Sequence, residues 1–393
     1  MIDTGSNGDL SCPARTVEAF QHIYEQNPKA ATNWYYQLSR RNGWIHPYHS
    51  KGDTWWGAET EYGNLEITFN AENEDGADWL RHPVNHNVTV IPLIIDHAPR
   101  FLEYVPYAYC EEQCICVSYL HSPISLDQFG FKQLLDFVRQ FPHYFAGLDA
   151  DLSISGSRSG PHDYFQTGRC VNALDRAPVE KAMPYFESRD VDVGVVKWPM
   201  SVVRIASQSP ERLAATADRI LRAWRGYTDT TAMIYAKTDG IPHNTAMTIA
   251  RKRDVKYELD LVLRSNLTTD DHPLGLFHPH EELHHIKKGN IGLIEAMGLA
   301  ALPAHLKAEL NAVARGLAQG RDLRKSRTSA LHAEWADGFR DRYRITPENA
   351  LEIVQKETGA AFVKALEDAG VFKRDESGRT AFLRFLEYVR RPL

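Results

Sequence analysis

Tyr257-Glu258-Leu259-Asp260-Leu261-Val262-Leu263-Arg264 is the stretch of sequence that decides the fold. Its pattern is typical of a strand, in which side chains two residues apart share a face. Glu258 and Asp260 therefore lie on one face, where they form a carboxylate pair or face water. Asp239-Gly240, further upstream, supplies the residues of a tight turn. Two more strand-like runs flank that turn: residues 233–237 and 245–252.

A helix and another strand precede these runs. Residues 202–205 are strand-like, and Ser209-Pro210 then begins a helix that Gly226 stops. The order strand, helix, loop occurs twice, over residues 88–168 and again over residues 200–290. This recurrence indicates an internal duplication in a mixed α/β (α+β) protein, although no sequence repeat proves it.

The remaining sequence extends on both sides of the duplicated parts. Residues 147–168 are rich in glycine, serine and aspartate, and are predicted to be a loop. After Pro303 the pattern is mostly helical to the end. We expect four parts: an N-terminal helical segment (1–60), a first unit (61–190), a second unit (191–305) and a helical extension (306–393).

The composition excludes several classes of protein. The 393 residues include 45 bases and 51 acids, and the net charge of −6 gives no reason to expect nucleic acid or an anionic membrane as partner. Hydrophobic residues make up 43%, enough for a core, and no apolar stretch approaches the roughly 18 residues that span a bilayer. Five cysteines are too few for a disulfide scaffold. We therefore expect a globular enzyme of the reducing cytoplasm.

Histidines are the unusual feature of the composition. The chain has 17, and several lie in Phe277-His278-Pro279-His280-Glu281-Glu282-Leu283-His284-His285-Ile286-Lys287-Lys288. Such a run indicates a segment that faces polyphosphate or binds metal, and the alternative is a solvated polar face. His280 to His284 fits the letters of the zinc-protease pattern, but Pro279 precedes it and no third ligand follows at a typical distance. We do not expect a zinc protease.

A second group of reactive side chains lies in Ser159-Gly160-Pro161-His162-Asp163-Tyr164-Phe165-Gln166-Thr167-Gly168. Glycines let a backbone approach phosphate closely, and the histidine, aspartate, tyrosine and glutamine of this run donate or accept protons. The alternative is a surface turn. His243, in Pro242-His243-Asn244-Thr245, stands where a turn enters a strand, and a hairpin with a polar entry explains it equally well.

These segments, in this order, resemble the type-two bacterial galactose-1-phosphate uridylyltransferases, also called UDP-glucose–hexose-1-phosphate uridylyltransferases. The similarity extends over most of the chain and does not rest on one motif. It implies a fold related to the histidine-triad superfamily, with two such units per chain and a helical C-terminal extension. The matching segments are residues 141–145, 196–202, 223–227, 242–245, 258–264, 278–303 and 366–371.

The resemblance implies nucleotidyl transfer by double displacement, in which a histidine attacks the α-phosphorus of a UDP-sugar and holds UMP covalently. The family motif reads His-Asp-His-Phe-Gln-Gly-Gly, and its second histidine attacks. Here the run from His162 to Gly168 places Tyr164 at that position. A phenol, with a pKa of about 10, is mostly protonated at neutral pH and needs a base or a positive field to attack. Tyr164 is therefore a nucleophile, a general acid or base, or inert.

Two further departures from the family concern metal and phosphate. Members carry a Cys-x-x-Cys metal segment, whereas residues 69–81 contain no cysteine. The other zinc ligands would map to His121 and His162, and two histidines do not complete a four-ligand site. We therefore expect that the zinc site of the family is lost, and the sequence identifies no other cofactor. Residues 82–87 also lack the two arginines of the family stretch, which implies lost phosphate contacts.

The resemblance also implies a uridine-based nucleotide or nucleotide sugar as substrate, and a homodimer whose sites the neighbouring subunit completes. Together with the sequence patterns above, it defines three groups of candidate residues. The catalytic candidates are His162, Asp163 and Tyr164; the nucleotide and phosphate candidates are Asp151, Ser159, Gln166, Lys288, Asn290 and Ile291; the substrate-pocket candidates are His243, Glu258, Asp260, His278 and His280.

Three functions remain open at this point. The first is a uridylyltransferase-like enzyme with a modified mechanism, since the attacking histidine is replaced. The second is a non-transferase enzyme, a hydrolase, lyase or sugar-rearranging enzyme, that uses the residues around Tyr164 for acid–base chemistry. The third is a catalytically silent nucleotide-binding protein. Ordinary galactose-1-phosphate uridylyltransferase activity is not expected.

Overall fold

A computed structural model describes residues 13–45, 55–70, 90–106, 108–119, 126–154, 163–183 and 190–390. The strands in these ranges are β1 (Trp55–Thr60), β2 (Gly63–Asn70), β3 (Ile91–Ile95), β4 (Ala98–Tyr104), β5 (Cys114–Ser118), β6 (Phe145–Leu148), β7 (Tyr164–Gly168), β8 (Val179–Ala182), β9 (Asp192–Val196), β10 (Val202–Ser207), β11 (Lys237–Thr238), β12 (Ile241–Pro242), β13 (Asn244–Arg253), β14 (Lys256–Ser265) and β15 (Leu299–Pro303). The helices are α1 (Pro13–Gln26), α2 (Pro28–Arg41), α3 (Gln128–Gln140), α4 (Ala173–Arg176), α5 (Pro210–Arg225), α6 (Leu293–Ala296), α7 (Ala304–Ala318), α8 (Ala333–Asp337), α9 (Phe339–Arg342), α10 (Ala350–Ala369) and α11 (Glu376–Arg390).

Ten strands form one antiparallel sheet in the order β3-β4-β5-β7-β6-β13-β14-β10-β9-β8. Read from each edge inward, the two halves are β3-β4-β5-β7-β6 and β8-β9-β10-β14-β13, which is the same order of strands. Along the chain, α3 follows the third strand of the first half and α5 follows the third strand of the second. The α/β class and the two related units are therefore confirmed. The boundaries of the four parts predicted from the sequence stay a prediction.

Local sequence explains the second unit well. The Ser209 hydroxyl accepts a hydrogen bond from the amide of Arg212, and Pro210 occupies the first turn of α5, so the helix begins where the sequence predicts. Apolar residues at helix spacing bury one face of α5, with Trp224 completely covered. The β13–β14 hairpin pairs Asn244 with Ser265 at its open end, and this register fixes which side chains share a face.

The large sheet separates two cores. Leu259, Leu261 and Leu263 lie in one core, which includes apolar residues of α3, α5 and α11. Val262 and Met247 lie in the other core, on the opposite face of the sheet. A second, three-stranded sheet, β1-β2-β15, together with α7 and α10, contributes to that second core. The region after Pro303 is helical, as predicted, within residues 304–390.

Two local predictions are wrong. Residues 147–168 are not simply a loop, because β6 ends inside this range and β7 occupies its last five residues. Residues 233–237 are not a strand: Met233 has a left-handed backbone after a 3₁₀ turn, and only Lys237 belongs to a strand. Among the described ranges, every helix is too short or too polar to cross a bilayer.

Candidate functional site

One face of the large sheet brings together the polar side chains of its central strands. Gly147 of β6 pairs with Gln166 of β7, and continuing this register places Asp149 opposite Tyr164. Tyr164 and Gln166 are two residues apart, so they point to the same face. Arg264 lies on this face too, at the end of β14. The central strands thus form a polar floor of two acid–base groups, an amide and a guanidinium.

Tyr164, which the resemblance to the family identifies as a catalytic candidate, is partly buried in this floor. Burial raises the pKa of its hydroxyl well above the usual value for tyrosine, and the nearby carboxylate of Asp149 raises it further. The phenol therefore remains protonated at neutral pH. In this state it can donate a hydrogen bond but is a poor nucleophile.

Asp149 follows β6 directly, where the chain leaves the sheet. Its carboxylate accepts hydrogen bonds from the amides of Ala150, at 2.8 Å, and of Leu293. Burial raises the pKa of Asp149, although these amides and Arg264 act in the opposite direction. The carboxyl group is therefore a candidate proton acceptor or donor beside Tyr164.

Arg264 connects the sheet to the loop that follows the histidine-rich segment. Its guanidinium is completely buried; Nη1 donates to the carbonyl of Ile291 at 2.9 Å and Nη2 donates to Oδ1 of Asn290 at 2.7 Å. Burial lowers the pKa of Arg264 to about 10, while Asp149 and Glu295 counteract that effect. The planar guanidinium thus holds the predicted phosphate-binding residues Asn290 and Ile291 at the edge of the floor.

The same loop is fixed at two other points. Lys287 forms an ion pair with Glu295, with Nζ 2.7 Å from Oε1. Leu293 packs on the floor so closely that a side chain at Gly147 would place its Cβ 2.7 Å from Cδ2 of Leu293. Glycine at this position allows the loop to approach the strand. Lys288 is exposed beside these anchors.

Among the other candidates, Gln166 shares the floor with Tyr164, Asp163 lies on the opposite face of the sheet, and three residues lie outside the described ranges. Gln166 accepts a weak hydrogen bond from Gln113 at 3.4 Å, which leaves its amide group able to donate. Asp163 points away from Tyr164, and its carboxylate pairs with Nη2 of the buried Arg100 at 2.7 Å. The residues outside the described ranges are His121, Ser159 and His162.

Asp151 and His243 lie near the same end of the sheet as Asp149. Asp151 pairs with Arg225 at 2.5 Å and accepts a hydrogen bond from the hydroxyl of Thr245 at 2.6 Å. These contacts tie the chain after β6 to α5 and β13. Nδ1 of His243 lies 2.8 Å from Asn266, and its buried Nε2 has no partner among the described residues.

Glu258 and Asp260 share one face of β14, as their spacing predicts, but they belong to a cluster of arginines. Asp260 is completely buried and contacts Arg204 at 2.7 Å as well as Arg251. Burial raises the pKa of Asp260, and the two guanidiniums outweigh this and hold it below its usual range. Glu258 pairs with Arg253 at 2.8 Å. This cluster is four to six residues along β14 from Arg264, so it supports the sheet beyond the floor around Tyr164.

His278 and His280 lie between the floor and the C-terminal helices. Burial lowers the pKa of His278, and the neighbouring Arg264 and Lys287 lower it further, so its ring is neutral beside the anchored loop. His280 instead faces Asp368 of α10, to which its backbone amide donates at 3.2 Å. One end of the histidine-rich segment therefore lies beside the anchored loop, through His278, and contacts helix α10, through His280.

Sequence reasoning missed Asp149 as a candidate and did not give Arg264 a role. Arg264 ends the strand that the sequence identified, and a charged residue inside an apolar strand was the available signal. Asp149 lay in a segment predicted to be a loop, so no signal placed it beside Tyr164.

The cysteine count predicts no disulfide scaffold, but the structure contains one disulfide among the described residues. Cys110 and Cys170 are bonded, with Cα atoms 5.6 Å apart, while Cys114 and Cys116 are buried and free.

Comparisons with known proteins give a consistent result. Sequence profiles of the galactose-1-phosphate uridyl transferase C-terminal and N-terminal domains match residues 137–337 and 8–77. Galactose-1-phosphate uridylyltransferase of Clostridium acetobutylicum is 41% identical, with 96% of this chain and 82% of that protein covered. The Fusobacterium nucleatum protein of the same name is 38% identical, with 99% and 84% covered.

Similarity to solved structures is weaker. The crystal structure of yeast Ap4A phosphorylase covers 70% of this chain and 86% of its own chain, with 14% identity and a TM-score of 0.45. A DUF4931 family protein from Bacillus cereus covers 44% and 84%, with 11% identity and a TM-score of 0.30.

Proposed function

Because this chain belongs to the galactose-1-phosphate uridylyltransferase family, we propose that it is a nucleotidyltransferase that moves a uridylyl group from a UDP-sugar to a sugar phosphate. The observation that carries the proposal is the floor itself. Tyr164 and Gln166 point to one face, and Arg264 holds Asn290 and Ile291 beside them. A diphosphate at this place would meet an amide donor, a phenol and the exposed Lys288.

The proposed mechanism differs from that of the family, because Tyr164 does not attack. Its raised pKa keeps the proton on the phenol, which then donates a hydrogen bond to a non-bridging oxygen of the α-phosphoryl group. An oxygen of the acceptor sugar phosphate forms the new bond to the α-phosphorus, and the bond to the bridging oxygen breaks. The donor leaves as a sugar 1-phosphate, so the step needs no net proton transfer. A single displacement at phosphorus thus replaces the two displacements of the family's mechanism.

Kinetics and mass spectrometry test this mechanism together. Direct transfer predicts a sequential initial-rate pattern, inversion at phosphorus and no covalent nucleotide on the protein. We expect Tyr164→Phe to lower kcat by about 10²-fold, since a donor to the transition state is lost. Tyr257→Phe, on the opposite face of the sheet, is the matched control and should keep full activity. A uridylyl adduct on Tyr164 of the wild-type protein would overturn the direct mechanism.

Tyr164→His provides the complementary test. The substitution restores the family's nucleophile at a site whose neighbours remain in place, so we expect a covalent uridylyl intermediate in that variant. Its initial-rate pattern should then change from sequential to ping-pong. Absence of both changes would show that the floor lacks the alignment needed for attack at this position.

A second function, cleavage of the nucleotide sugar without transfer to a sugar, is favoured by one observation. Asp149, whose pKa is raised by burial, lies beside the protonated Tyr164, and such a pair suits acid–base chemistry on water or on the sugar. Incubation with a UDP-sugar alone distinguishes the two. Release of UMP at the same rate with and without sugar phosphate would favour the hydrolase.

We also propose that the chain forms a homodimer through the outer strands of the first unit. Ile94 and Tyr119 are 61% and 62% exposed, and Phe101 contacts the Tyr119 ring with centroids 5.6 Å apart. Phe101 pairs with Val117, which pairs with Tyr164, so this apolar patch continues the face that carries the floor. A second copy of the chain would cover it. Light scattering of Ile94→Lys should show monomers. Val255→Lys, at an exposed hairpin turn, should match the wild type.

Location of the protein in the cytoplasm stays a prediction.

A further inference from the structure

Three potential ligand side chains meet outside the floor, between the histidine-rich segment and helix α10. They are His280, Glu282 and Asp368, and one ligand atom from each lies within 4.8 Å of the others. Glu282 belongs to the 3₁₀ turn Glu281–Leu283 and His280 precedes that turn at its N-cap, whereas Asp368 belongs to α10. His284 is not part of the group, since its Nε2 lies 3.0 Å from the carbonyl of Pro279. The histidine pair suggested by the zinc-protease letters is therefore absent from this cluster.

The distance between the first two ligands fits a shared cation. Nδ1 of His280 lies 3.6 Å from Oδ1 of Asp368, which is too long for a hydrogen bond. Two ligands that each bind a tetrahedral ion at about 2.0–2.2 Å lie about 3.4 Å apart. The pair is thus spaced as ligands of one metal ion.

The hydrogen bond on the other side of the His280 ring supports the same role. Nε2 of His280 lies 3.4 Å from the carbonyl of Leu276, which can only accept, so the ring hydrogen belongs on Nε2. Nδ1 then carries a lone pair that faces the carboxylate of Asp368. Histidines that bind metals commonly donate their second ring N–H to a backbone carbonyl in this way.

Asp368 is a fixed ligand and Glu282 an accessible one. The Asp368 side chain is 3% exposed, and one oxygen accepts the amide of His280 while the other faces the partly exposed ammonium of Lys364 at 3.3 Å. Glu282 is exposed, so a cation and a water ligand can enter from that side. Lys364 is the present counter-charge, and a metal ion would displace it into solvent.

We propose that His280, Glu282 and Asp368 bind one divalent transition-metal ion of the zinc type. An imidazole nitrogen with two carboxylate oxygens suits such an ion, with water in the fourth position. The ion would fasten the 3₁₀ turn to α10, eight residues before Asn290. This site differs from the zinc positions implied by the resemblance, which involved His121 and His162, and it does not depend on the proposed transfer reaction.

The test uses the full chain after removal of metal by a chelator. Titration with Zn²⁺, followed by calorimetry and elemental analysis, should give one equivalent bound and a higher Tm. Glu282→Gln should weaken binding at least about tenfold. Glu281→Gln is the matched control, because it removes the same charge from the same exposed turn and should bind as the wild type does. Equal binding by these two variants, or no Zn²⁺ bound by the wild type, would overturn the proposal.

Two more variants protect the result from misfolding. The Asp368 side chain is buried, so the effect of Asp368→Asn on folding must be measured. Glu282 lies at the surface, and Glu282→Gln should fold normally. Lys364→Met separates a metal site from a simple ion-pair cluster. If the three ligands bind Zn²⁺, removing the competing ammonium strengthens binding; an unchanged or weaker affinity in Lys364→Met contradicts the proposed displacement.

Discussion

Arg264 connects strand β14 to the loop at the candidate site, and Arg264→Lys tests how much this connection stabilises the protein. The guanidinium makes two charge-assisted hydrogen bonds, at 2.9 Å to Ile291 and 2.7 Å to Asn290. Lysine keeps the charge but reaches only one of these acceptors. A hydrogen bond to a charged group contributes about 1.5–3 kcal/mol, so we expect the free energy of unfolding to fall by about that amount.

Urea unfolding of the wild type, Arg264→Lys, Asn290→Ala and the double variant measures this energy directly. The double-mutant cycle isolates the contact between the two side chains, and we expect a coupling of about 1.5–3 kcal/mol. Arg222→Lys, in an ion pair whose arginine is 62% exposed, is the control and should change stability by less than about 0.5 kcal/mol. Coupling below about 0.5 kcal/mol would refute the view that this arginine fixes the loop.

Three other predictions follow from contacts described above or from buried histidines. Gly147→Ala should cost about 1–3 kcal/mol in urea unfolding, because the new methyl group meets Leu293, and it should raise KM through the displaced loop. Burial lowers the pKa of both His143 and His285 to about 4, so the folded state resists protonation; stability should fall as pH drops from about 6.5 to about 4, and His143→Gln should flatten that profile. Asp260→Asn should destabilise by about 3–5 kcal/mol, because two buried guanidiniums lose their partner, and an unchanged denaturation midpoint would contradict this.

The second unit was predictable because its signals are local. Ser209 and Pro210 cap α5, apolar residues recur at helix spacing, and β13 and β14 are long runs joined by a tight turn. The first unit gave weaker signals. β6 is Phe-Ala-Gly-Leu, four buried residues without alternation, and its conformation depends on pairing with β7 and with β13, which follows about a hundred residues later.

Residues 233–237 are predicted to be a strand, whereas the structure has a turn there. The apolar residues of this run favour a strand, yet Asp229 caps a 3₁₀ turn and Met233 takes a left-handed backbone, so the chain reverses before a strand can form. Ile234 is buried by that reversal and bridges back to Asp229. Burial of one apolar residue here depends on the turn and not on the strand pattern.

The sequence by itself indicated the class of fold, the duplication and the family, and it identified Tyr164, Gln166 and Asp163 as candidates without placing them on a strand. These properties depend on residues that are close along the chain, or on patterns repeated within it. Only the tertiary structure decided which groups surround Tyr164, since Asp149 and Arg264 arrive from other strands. It likewise decided the meeting of His280 with Asp368, 88 residues later. Such contacts are selected by strand pairing and collective packing, which repay the entropy of closing long loops and leave no mark in the local sequence.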